Sequence, residues 1–427
     1  MHFDILPPRD ILVHFMNRIY GRGMTTTSGG NLSLKDTQGD LWVTPGGVDK
    51  GSLRPEDIVR VDPSGTAHGI HKPSVELPFH AAIYDVRPDV RGIVHAHSSA
   101  LVTFSLIGEA PDTRVFPRAA EICGEVGLAP YALPGSEQLG RNVAGAFAAG
   151  HNAVLLENHG ITTVGADLAE AFRRFETLDF CARLLIHASR VGTPQPLEES
   201  VLSTARQPHA AGSYWTDYSP TTAEKELRAT MAALVRRAYA QSLFTSTEGT
   251  FAARLEDGRF VVTPYGLDRY YLEPEDLVAV RDGRPQPHTT PSRAWKLIGE
   301  IFEKNPSLQA VIIAHPPYTM AFAVTGARFH TPVIPESYML LRDIPVLPFN
   351  AQIDDQPLVA TTLSETSPVV LMRNECVFVA GASLLQAFDR LEVTEFTAKS
   401  LIAAAGVGTP KELSEAQKAE IRNRFFG

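Results

Sequence analysis

The chain has 427 residues, of which 44% are hydrophobic and 20% are charged, and its formal net charge is −9 at pH 7. This is ordinary globular composition, and at roughly 150 residues per domain the length predicts two or three domains. The acidic balance argues against a nucleic-acid-binding protein, whose surface is usually basic, and no run approaches the roughly 20 apolar residues that a membrane helix requires.

The N-terminal ten residues lack the basic and apolar segments of a signal peptide. The three cysteines, Cys123, Cys181 and Cys376, are widely spaced and have no CxxC partner. Such thiols favour a reducing compartment over a disulfide framework and are typical of buried apolar positions. We therefore expect a cytoplasmic protein that associates with neither membranes nor nucleic acid.

Helix and strand signals alternate from the N-terminus onward. Apolar residues have helical spacing over 11–20, and 41–43 is a predicted strand followed by a turn. Ser74 is predicted to cap a helix that runs toward Arg87, with Pro78 in its first turn, where a missing N–H costs little. These elements begin an α/β domain.

The same alternation continues along the chain. Residues 93–97 and 152–157 are predicted strands, and the second ends in a turn at 158–160. From residue 168 to residue 185 the apolar positions follow one face of a long amphipathic helix. The pattern predicts an α/β fold in which helices flank a central sheet.

The second half of the chain repeats the first in order. A segment without periodicity, residues 197–223, separates the copies and is the predicted linker. We therefore expect one domain at 1–196 and a duplicate at 224–427. The matching pairs are 43–59 with 262–278, 154–165 with 370–381, 171–176 with 387–392, and 191–194 with 407–410.

Three histidines of the first copy suggest a metal site. His95 and His97 are two residues apart on a predicted strand, so both side chains project from one face. Such a pair alone is more often two core histidines, but His159 follows the next long strand at a turn. Three imidazoles with an open position are typical of a catalytic zinc site.

Glu76 is the candidate acid/base group. It is predicted in the first turn of the helix after Ser74, where the helix dipole favours an anion, and complementing the dipole is its alternative role. Beside a metal, a carboxylate can instead remove a proton from a carbon next to a carbonyl group.

Three loops are rich in glycine and small donors, and such loops can surround a phosphate or another anion, although each alone is more often a plain turn. They are Gly29-Gly30-Asn31, Thr44-Pro45-Gly46-Gly47 and Pro73-Ser74.

Taken in order, the strings GGNLS, VTPGG, KPSVE, IVHAHS and LLENHG resemble the class II aldolase/adducin family, over residues 10–195 and more weakly over 224–412. The resemblance implies tandem class II aldolase-like α/β/α domains, and zinc, or another divalent metal, on His95, His97 and His159. It also implies that Glu76 is the acid/base group. It places Asn31, Gly47 and Ser74 at the substrate phosphate, and the neighbouring Gly30 and Gly46 are further candidate substrate-binding residues.

The chain departs from the fuculose-type aldolases of this family, whose strings are TPTG and PSSE. Gly46 and Val75 remove two hydroxyl donors from the implied phosphate pocket, and Phe116 stands where those aldolases have an assisting tyrosine. A smaller, unphosphorylated or carboxylated substrate therefore stays open.

The second copy lacks most of the implied site. Ala294 replaces Glu76, Ile313 replaces His95 and Glu375 replaces His159, while His315 matches His97. We expect a catalytically inactive second domain. The family forms fourfold rings with sites at subunit boundaries, so a fused pair predicts a homodimer with pseudo-fourfold symmetry.

The leading functional hypothesis is a zinc-dependent carbon–carbon lyase of carbohydrate metabolism. It would cleave a small hydroxy-carbonyl or sugar-type substrate by aldol chemistry through a metal-stabilised enediolate. The alternatives are a decarboxylase of a sugar-acid-like substrate that uses the same enolate chemistry, and a non-catalytic adducin-like scaffold.

Overall fold

The computed structural model describes residues 5–205 and 213–425. The chain divides into two compact units, residues 1–183 and 184–427. Each unit contains one eight-stranded sheet.

The first unit is a mixed sheet with helices on its faces. Its strands run in the order β4-β3-β2-β1-β5-β8-β7-β6, and neighbours are antiparallel except for the parallel pair β6 and β7. The elements are α1 (Pro8–Gly21), β1 (Asn31–Lys35), β2 (Leu41–Val43), β3 (Val59–Val61), β4 (Ala67–His68), α2 (Leu77–Val86), β5 (Gly92–Ala96), α3 (Ser99–Ile107), α4 (Pro117–Cys123), β6 (Gly127–Ala129), α5 (Glu137–Ala148), β7 (Ala153–Leu156), β8 (Gly160–Gly165) and α6 (Leu168–Ala188).

One apolar core of this unit lies between α2, α5 and the sheet. Phe79 and Ile83 of α2 pack with Val143 and Phe147 of α5 against buried aliphatic residues of β5, β7 and β8. Burying a side chain of this size contributes roughly 1.5–3 kcal/mol. This packing fixes α2, whose N-terminus bears Glu76, against the strand that bears His95.

The second unit repeats the topology. Its strand order, β12-β11-β10-β9-β13-β16-β15-β14, is that of the first sheet with every strand number raised by eight, and β14 and β15 form its parallel pair. The elements are α7 (Glu199–Ala205), α8 (Thr222–Ala240), β9 (Thr250–Arg254), β10 (Phe260–Val262), β11 (Val278–Arg281), β12 (Arg284–Pro285), α9 (Trp295–Lys304), β13 (Ala310–Ala314), α10 (Pro317–Thr325), α11 (Pro335–Leu341), β14 (Val346–Leu347), α12 (Ala351–Asp354), α13 (Gln356–Thr362), β15 (Val369–Met372), β16 (Cys376–Gly381), α14 (Leu384–Ala405) and α15 (Glu415–Phe425).

The matched topology confirms the predicted fold class, two tandem α/β units that each have a central sheet flanked by helices. The stretch expected to be the linker, 197–223, contains the short helix α7, and its residues 206–212 lie outside the described residues. Within the described part of the chain, no helix combines the length and apolar character needed to cross a bilayer.

Two local predictions differ from the structure. Helix α2 has Glu76, not Ser74, at its N-cap position, and Ser74 Oγ accepts a hydrogen bond of 3.3 Å from the Glu76 N–H. Ser74 is displaced because residues 74–77 form a separate turn, in which Leu77 N–H donates to Ser74 O at 3.1 Å. His97 lies just beyond β5, which ends at Ala96.

Candidate metal centre

Three imidazoles converge at one end of the first sheet. His95 lies on β5, His97 directly follows that strand, and His159 lies in the turn between β7 and β8. One ring nitrogen from each lies within 4.8 Å of the others. His95 Nε2 and His97 Nε2 are 2.9 Å apart. The structure therefore brings together the three histidines that the sequence singled out.

Two glycines make this approach sterically feasible. Gly30 has φ +70°, and a Cβ there would lie 2.7 Å from His95 O. At Gly160 a Cβ would lie 2.5 Å from His97 Cδ2. Real Cβ atoms do not approach other atoms so closely, so larger residues at either position would displace a histidine. Asn158, also with a positive φ (53°), forms the turn that carries His159.

Hydrogen bonding fixes the tautomer of His95. Its Nδ1 lies 3.0 Å from Ile161 O and 3.1 Å from Thr162 Oγ1. A carbonyl oxygen can only accept, so Nδ1 carries the proton and Nε2 presents a lone pair. Metal-ligating histidines usually have a partner of this kind on the second ring nitrogen.

Burial keeps the two strand-end histidines neutral. Burial lowers the pKa of His95 well below its usual range, and the neighbouring His97 and His159 rings lower it further. Burial, followed by the His159 ring, lowers the pKa of His97 to about 4. Neutral imidazole is the form that binds metal.

Glu76 completes the cluster. Its buried carboxylate accepts a hydrogen bond from Asn31 Nδ2 at 2.7 Å through Oε2, which also lies 3.4 Å from His95 Nε2. Oε1 lies 3.3 Å from His159 Nε2, and within the described residues no donor forms a hydrogen bond to it. A buried carboxylate oxygen without a hydrogen-bond donor, next to three clustered imidazoles, fits a divalent cation such as zinc.

The residues expected to bind substrate lie beside this cluster. Pro45 and Pro73 form an isolated β-bridge that joins the two loops carrying Gly46, Gly47 and Ser74. The Gly46 N–H donates to Lys72 O at 3.2 Å and is therefore already engaged. A Cβ at Gly46 would lie 3.3 Å from Pro73 O, so this glycine allows the two loops to approach.

Sequence reasoning overlooked a buried cation in the same loops. Lys50 Nζ donates to Pro45 O at 2.5 Å, and burial lowers the pKa of Lys50 to about 8. At the equivalent place in the second unit Arg269 donates to four loop carbonyl groups. Both copies retain a cation at this position, and in both it donates to backbone carbonyl groups of the loops. We therefore interpret Lys50 as a residue that holds the loops in place.

Three further polar residues, Ser33, His80 and Tyr84, were also overlooked. His80 and Tyr84 follow Glu76 at helical i+4 spacing, and Ser33 follows Asn31 at i+2 on a strand. Both spacings place side chains on one face of their element, so the signal was present in the sequence.

The second unit shows no equivalent centre among its described residues. Its described residues, like the remainder of residues 5–205 and 213–425, contain no second group of three ligand-type side chains like the histidine triad. Glu375, at the place of His159, accepts a hydrogen bond from the Asn350 N–H at 3.2 Å. Burial raises the pKa of Glu375 to about 7.

Comparison with known proteins gives a consistent result for both halves. The family model described as Class II Aldolase and Adducin N-terminal domain matches residues 10–186 and again residues 229–402.

Individual relatives are similar to less than half of the chain but to most of their own length. A 3-oxo-tetronate 4-phosphate decarboxylase of Haemophilus influenzae is 33% identical over 183 residues, 42% of this chain and 87% of the relative. A 5-deoxy-D-ribulose 1-phosphate aldolase of Bacillus thuringiensis is 31% identical over 45% of this chain and 90% of the relative. An L-fuculose phosphate aldolase of Methanococcus maripaludis is 34% identical over 39% of this chain and 89% of the relative.

Proposed function

Because the chain belongs to the class II aldolase and adducin N-terminal domain family, we propose that it is a metal-dependent lyase that cleaves a carbon–carbon bond beside a carbonyl group. The proposed substrate is a small hydroxy-carbonyl or sugar-type compound. The observation that carries the proposal is the cluster of His95, His97 and His159 with the buried carboxylate of Glu76 against it.

The three histidines would hold the metal, with zinc as the first choice because the donor set is three imidazoles. A bound divalent ion supplies Lewis acidity, which polarises a carbonyl oxygen and stabilises negative charge that develops on it. Burial of His95 keeps this ring neutral, and the backbone partner on its Nδ1 holds its orientation.

Glu76 would move the proton. In an aldol cleavage, the hydroxyl group on the β-carbon would give its proton to the Glu76 carboxylate, and its oxygen would become that of the aldehyde carbonyl. The electron pair of the broken carbon–carbon bond passes to the remaining fragment as an enediolate. A protonated Glu76 then delivers a proton to the carbon that carried the bond. The Asn31 amide, which donates to Oε2, holds the carboxylate for this transfer.

Decarboxylation is the second candidate, and the similarity to 3-oxo-tetronate 4-phosphate decarboxylase favours it. In that reaction the bond to a carboxylate breaks, carbon dioxide leaves, and the electron pair forms the same kind of enolate. Glu76 would take up a proton from solvent water and deliver it to the carbon, since decarboxylation itself releases none. The same residues therefore serve both reactions, and the substrate decides between them.

The proposed substrate contacts are Gly30, Asn31, Gly46, Gly47 and Ser74. Since the Gly46 N–H is engaged and Val75 has no hydroxyl group, this pocket offers fewer donors than the fuculose-type strings imply. Because fewer donors are available to a phosphate group, the turnover of phosphorylated substrates should be compared with that of their unphosphorylated forms.

The test uses the full chain loaded with Zn²⁺. Aldehyde release is measured from L-fuculose 1-phosphate, 5-deoxy-D-ribulose 1-phosphate and their unphosphorylated forms, and carbon dioxide release from 3-oxo-tetronate 4-phosphate and its unphosphorylated form. We expect one class to be turned over, with the activity lost in His95→Ala. If metal-loaded protein cleaves none of them, the lyase proposal fails for these substrate classes, and the adducin-like scaffold gains support.

A further inference from the structure

Five side chains of the first unit form one continuous hydrogen-bonded chain that ends on Glu76. Tyr84 OH lies 2.9 Å from Ser33 Oγ, and Ser33 Oγ lies 2.7 Å from His80 Nδ1. His80 Nε2 lies 2.5 Å from Asn31 Oδ1, and Asn31 Nδ2 donates to Glu76 Oε2 at 2.7 Å. Its inner members, Asn31, Ser33 and His80, are all at most 3% exposed.

The direction of every bond follows from the carboxylate end. A carboxylate accepts, so the Asn31 NH₂ group faces Glu76 and Oδ1 faces His80. His80 Nε2 must therefore carry the proton, which leaves Nδ1 to accept from the Ser33 hydroxyl and Ser33 Oγ to accept from Tyr84. Burial lowers the pKa of His80 to about 3, so the ring is neutral and can accept at Nδ1.

The hydrogen-bonded chain favours one orientation of the Asn31 amide. With the amide reversed, its oxygen would face the carboxylate, which is repulsive, and its NH₂ group could bond His80 only if the His80 tautomer and both hydroxyl groups reversed as well. The neutral amide is an inefficient proton carrier, so the chain is suited to orienting Glu76 and not to conducting protons.

We propose that His80, held by Ser33 and Tyr84, is a positioning residue that orients Glu76 through the Asn31 amide. This inference rests on the proposed function, because it concerns the carboxylate assigned to proton transfer. The chain fixes Oε2, and it thereby leaves Oε1 directed at His159.

The second copy shows that the fold does not need this hydrogen-bonded chain of side chains. It keeps the same strand order, and α9 has ten residues like α2. It has nevertheless lost the members of the chain together with the carboxylate they serve. The equivalents of Asn31, Ser33, Glu76, His80 and Tyr84 are Thr250, Ala252, Ala294, Ile298 and Phe302.

The loss contrasts with the buried cation, since Lys50 keeps a cationic counterpart in Arg269. A network kept for folding alone would be expected in both copies, as the cation is. A network that serves Glu76 is expected only where Glu76 remains, and that is the observed distribution.

The test uses the full chain loaded with Co²⁺, whose visible absorption reports on groups beside the metal. His80→Leu removes the donor to Asn31. His80→Gln keeps an N–H near the position of Nε2 and is the rescue variant. The triple variant Ser33→Ala, His80→Ile and Tyr84→Phe introduces the residues of the second copy, so it is expected to fold even if His80→Leu does not.

The matched control is Thr163→Val. Thr163 is a buried residue of the same sheet whose hydroxyl donates to Ala171 O at 2.8 Å, and Val379 is its second-copy equivalent. The Thr163→Val substitution removes a buried hydroxyl group that is not part of the hydrogen-bonded chain ending on Glu76.

We expect His80→Leu and the triple variant to bind one Co²⁺ and to shift its spectrum in the same direction as Glu76→Gln. His80→Gln and Thr163→Val should match the wild type. On any substrate found in the screen, kcat should fall at least tenfold in His80→Leu with little change in KM, and His80→Gln should restore it.

The outcomes separate the two proposals. A wild-type protein that binds no Co²⁺, or a Glu76→Gln variant with an unchanged spectrum, overturns the proposed function and this inference with it. A shifted spectrum in Glu76→Gln combined with wild-type spectra in His80→Leu and the triple variant overturns the inference alone.

Discussion

Glu76 and His159 meet through Oε1 and Nε2 at 3.3 Å, although they come from the N-terminus of a helix and from a turn between two strands. The carboxylate therefore faces the ligand set without replacing one of its imidazoles. In the proposed function this arrangement assigns metal binding to the histidines and proton transfer to Glu76, and the first two predictions test that division.

Glu76→Gln should keep the metal and lose most of the rate. The amide is isosteric but cannot carry the proton, and general acid–base catalysis typically contributes about 10²–10⁴-fold. Metal content by elemental analysis and kcat on the screened substrate check the prediction. Near-normal turnover would show that another group moves the proton.

The full chain should bind about one divalent ion, since the histidine triad lies in the first unit alone among the described residues. His95→Ala should abolish this binding. His315→Ala, at the only ligand position that the second copy retains, is the matched control and should leave the stoichiometry unchanged. Two tightly bound ions per chain would refute the view that the second domain is inactive.

Gly30→Ala should disturb the metal centre more than an alanine at a comparable backbone position. Gly30 and Gly23 have φ of +70° and +66°, so alanine costs roughly 1–2 kcal/mol of backbone strain at either. Only at Gly30 would the new Cβ also meet His95 O.

We therefore expect similar strain in both variants but weakened Zn²⁺ binding in Gly30→Ala alone. Competition with a metal chelator and thermal unfolding measure the two effects. Equal metal affinity in Gly30→Ala and Gly23→Ala would contradict the steric argument.

His80 should make the protein less stable as the pH falls below 6.5. Burial lowers the pKa of His80 from 6.5 to about 3 in the folded state, so between these values the unfolded chain binds a proton that the folded chain does not. The stability contribution is present above pH 6.5 and is lost toward pH 3, by up to about 1.4 kcal/mol per pH unit.

His80→Leu should weaken this dependence without abolishing it, because His95 and His97 also have lowered pKa values. It should lower stability at pH 7 as well, because Asn31 and Ser33 lose a buried partner. Urea midpoints at pH 7 and pH 5 test the prediction, with Thr163→Val as the control. If the midpoint of the wild type and that of His80→Leu fall equally between the two pH values, His80 is not the responsible group.

The full chain should form a homodimer with two active sites, both in first copies. Beside Glu76 the surface carries exposed apolar side chains, Val75 (71% exposed), Tyr131 (59%) and Leu133 (68%), as expected of a surface that another subunit covers. Light scattering and native mass spectrometry of the full chain check the dimer.

A chain that ends near Glu199 should aggregate or lose most activity, although it contains every residue of the proposed site. If this shortened protein is a soluble monomer that is as active per zinc as the full chain, the second half takes no part in the active assembly.

The fold and the clustering of the three histidines were largely predictable because both leave local patterns. Strand alternation placed His95 and His97 on one face, and the internal repeat predicted the second sheet. The cap at Ser74 was predicted wrongly, because residue preferences do not show that 74–77 form their own turn.

The chain from Tyr84 to Glu76 was missed for a different reason. Its members are spaced for one face of a helix and one face of a strand, but only the pairing of β1 with β5 and the packing of α2 bring these faces together. Spacing predicts which residues share an element, while the contacts between elements depend on tertiary packing.

Because both sheets have the same strand order, the number of domains in this protein does not give the number of active sites. A comparison by whole domains matches both halves of this protein and would therefore count two enzymes in one polypeptide. Specific activity per milligram should instead be about half that of a single-domain relative with equal turnover per site. The second domain is synthesised in a fixed one-to-one ratio with the first, and if it is inactive as proposed, substitutions at its counterparts of Glu76, His95 and His159 would not reduce catalysis.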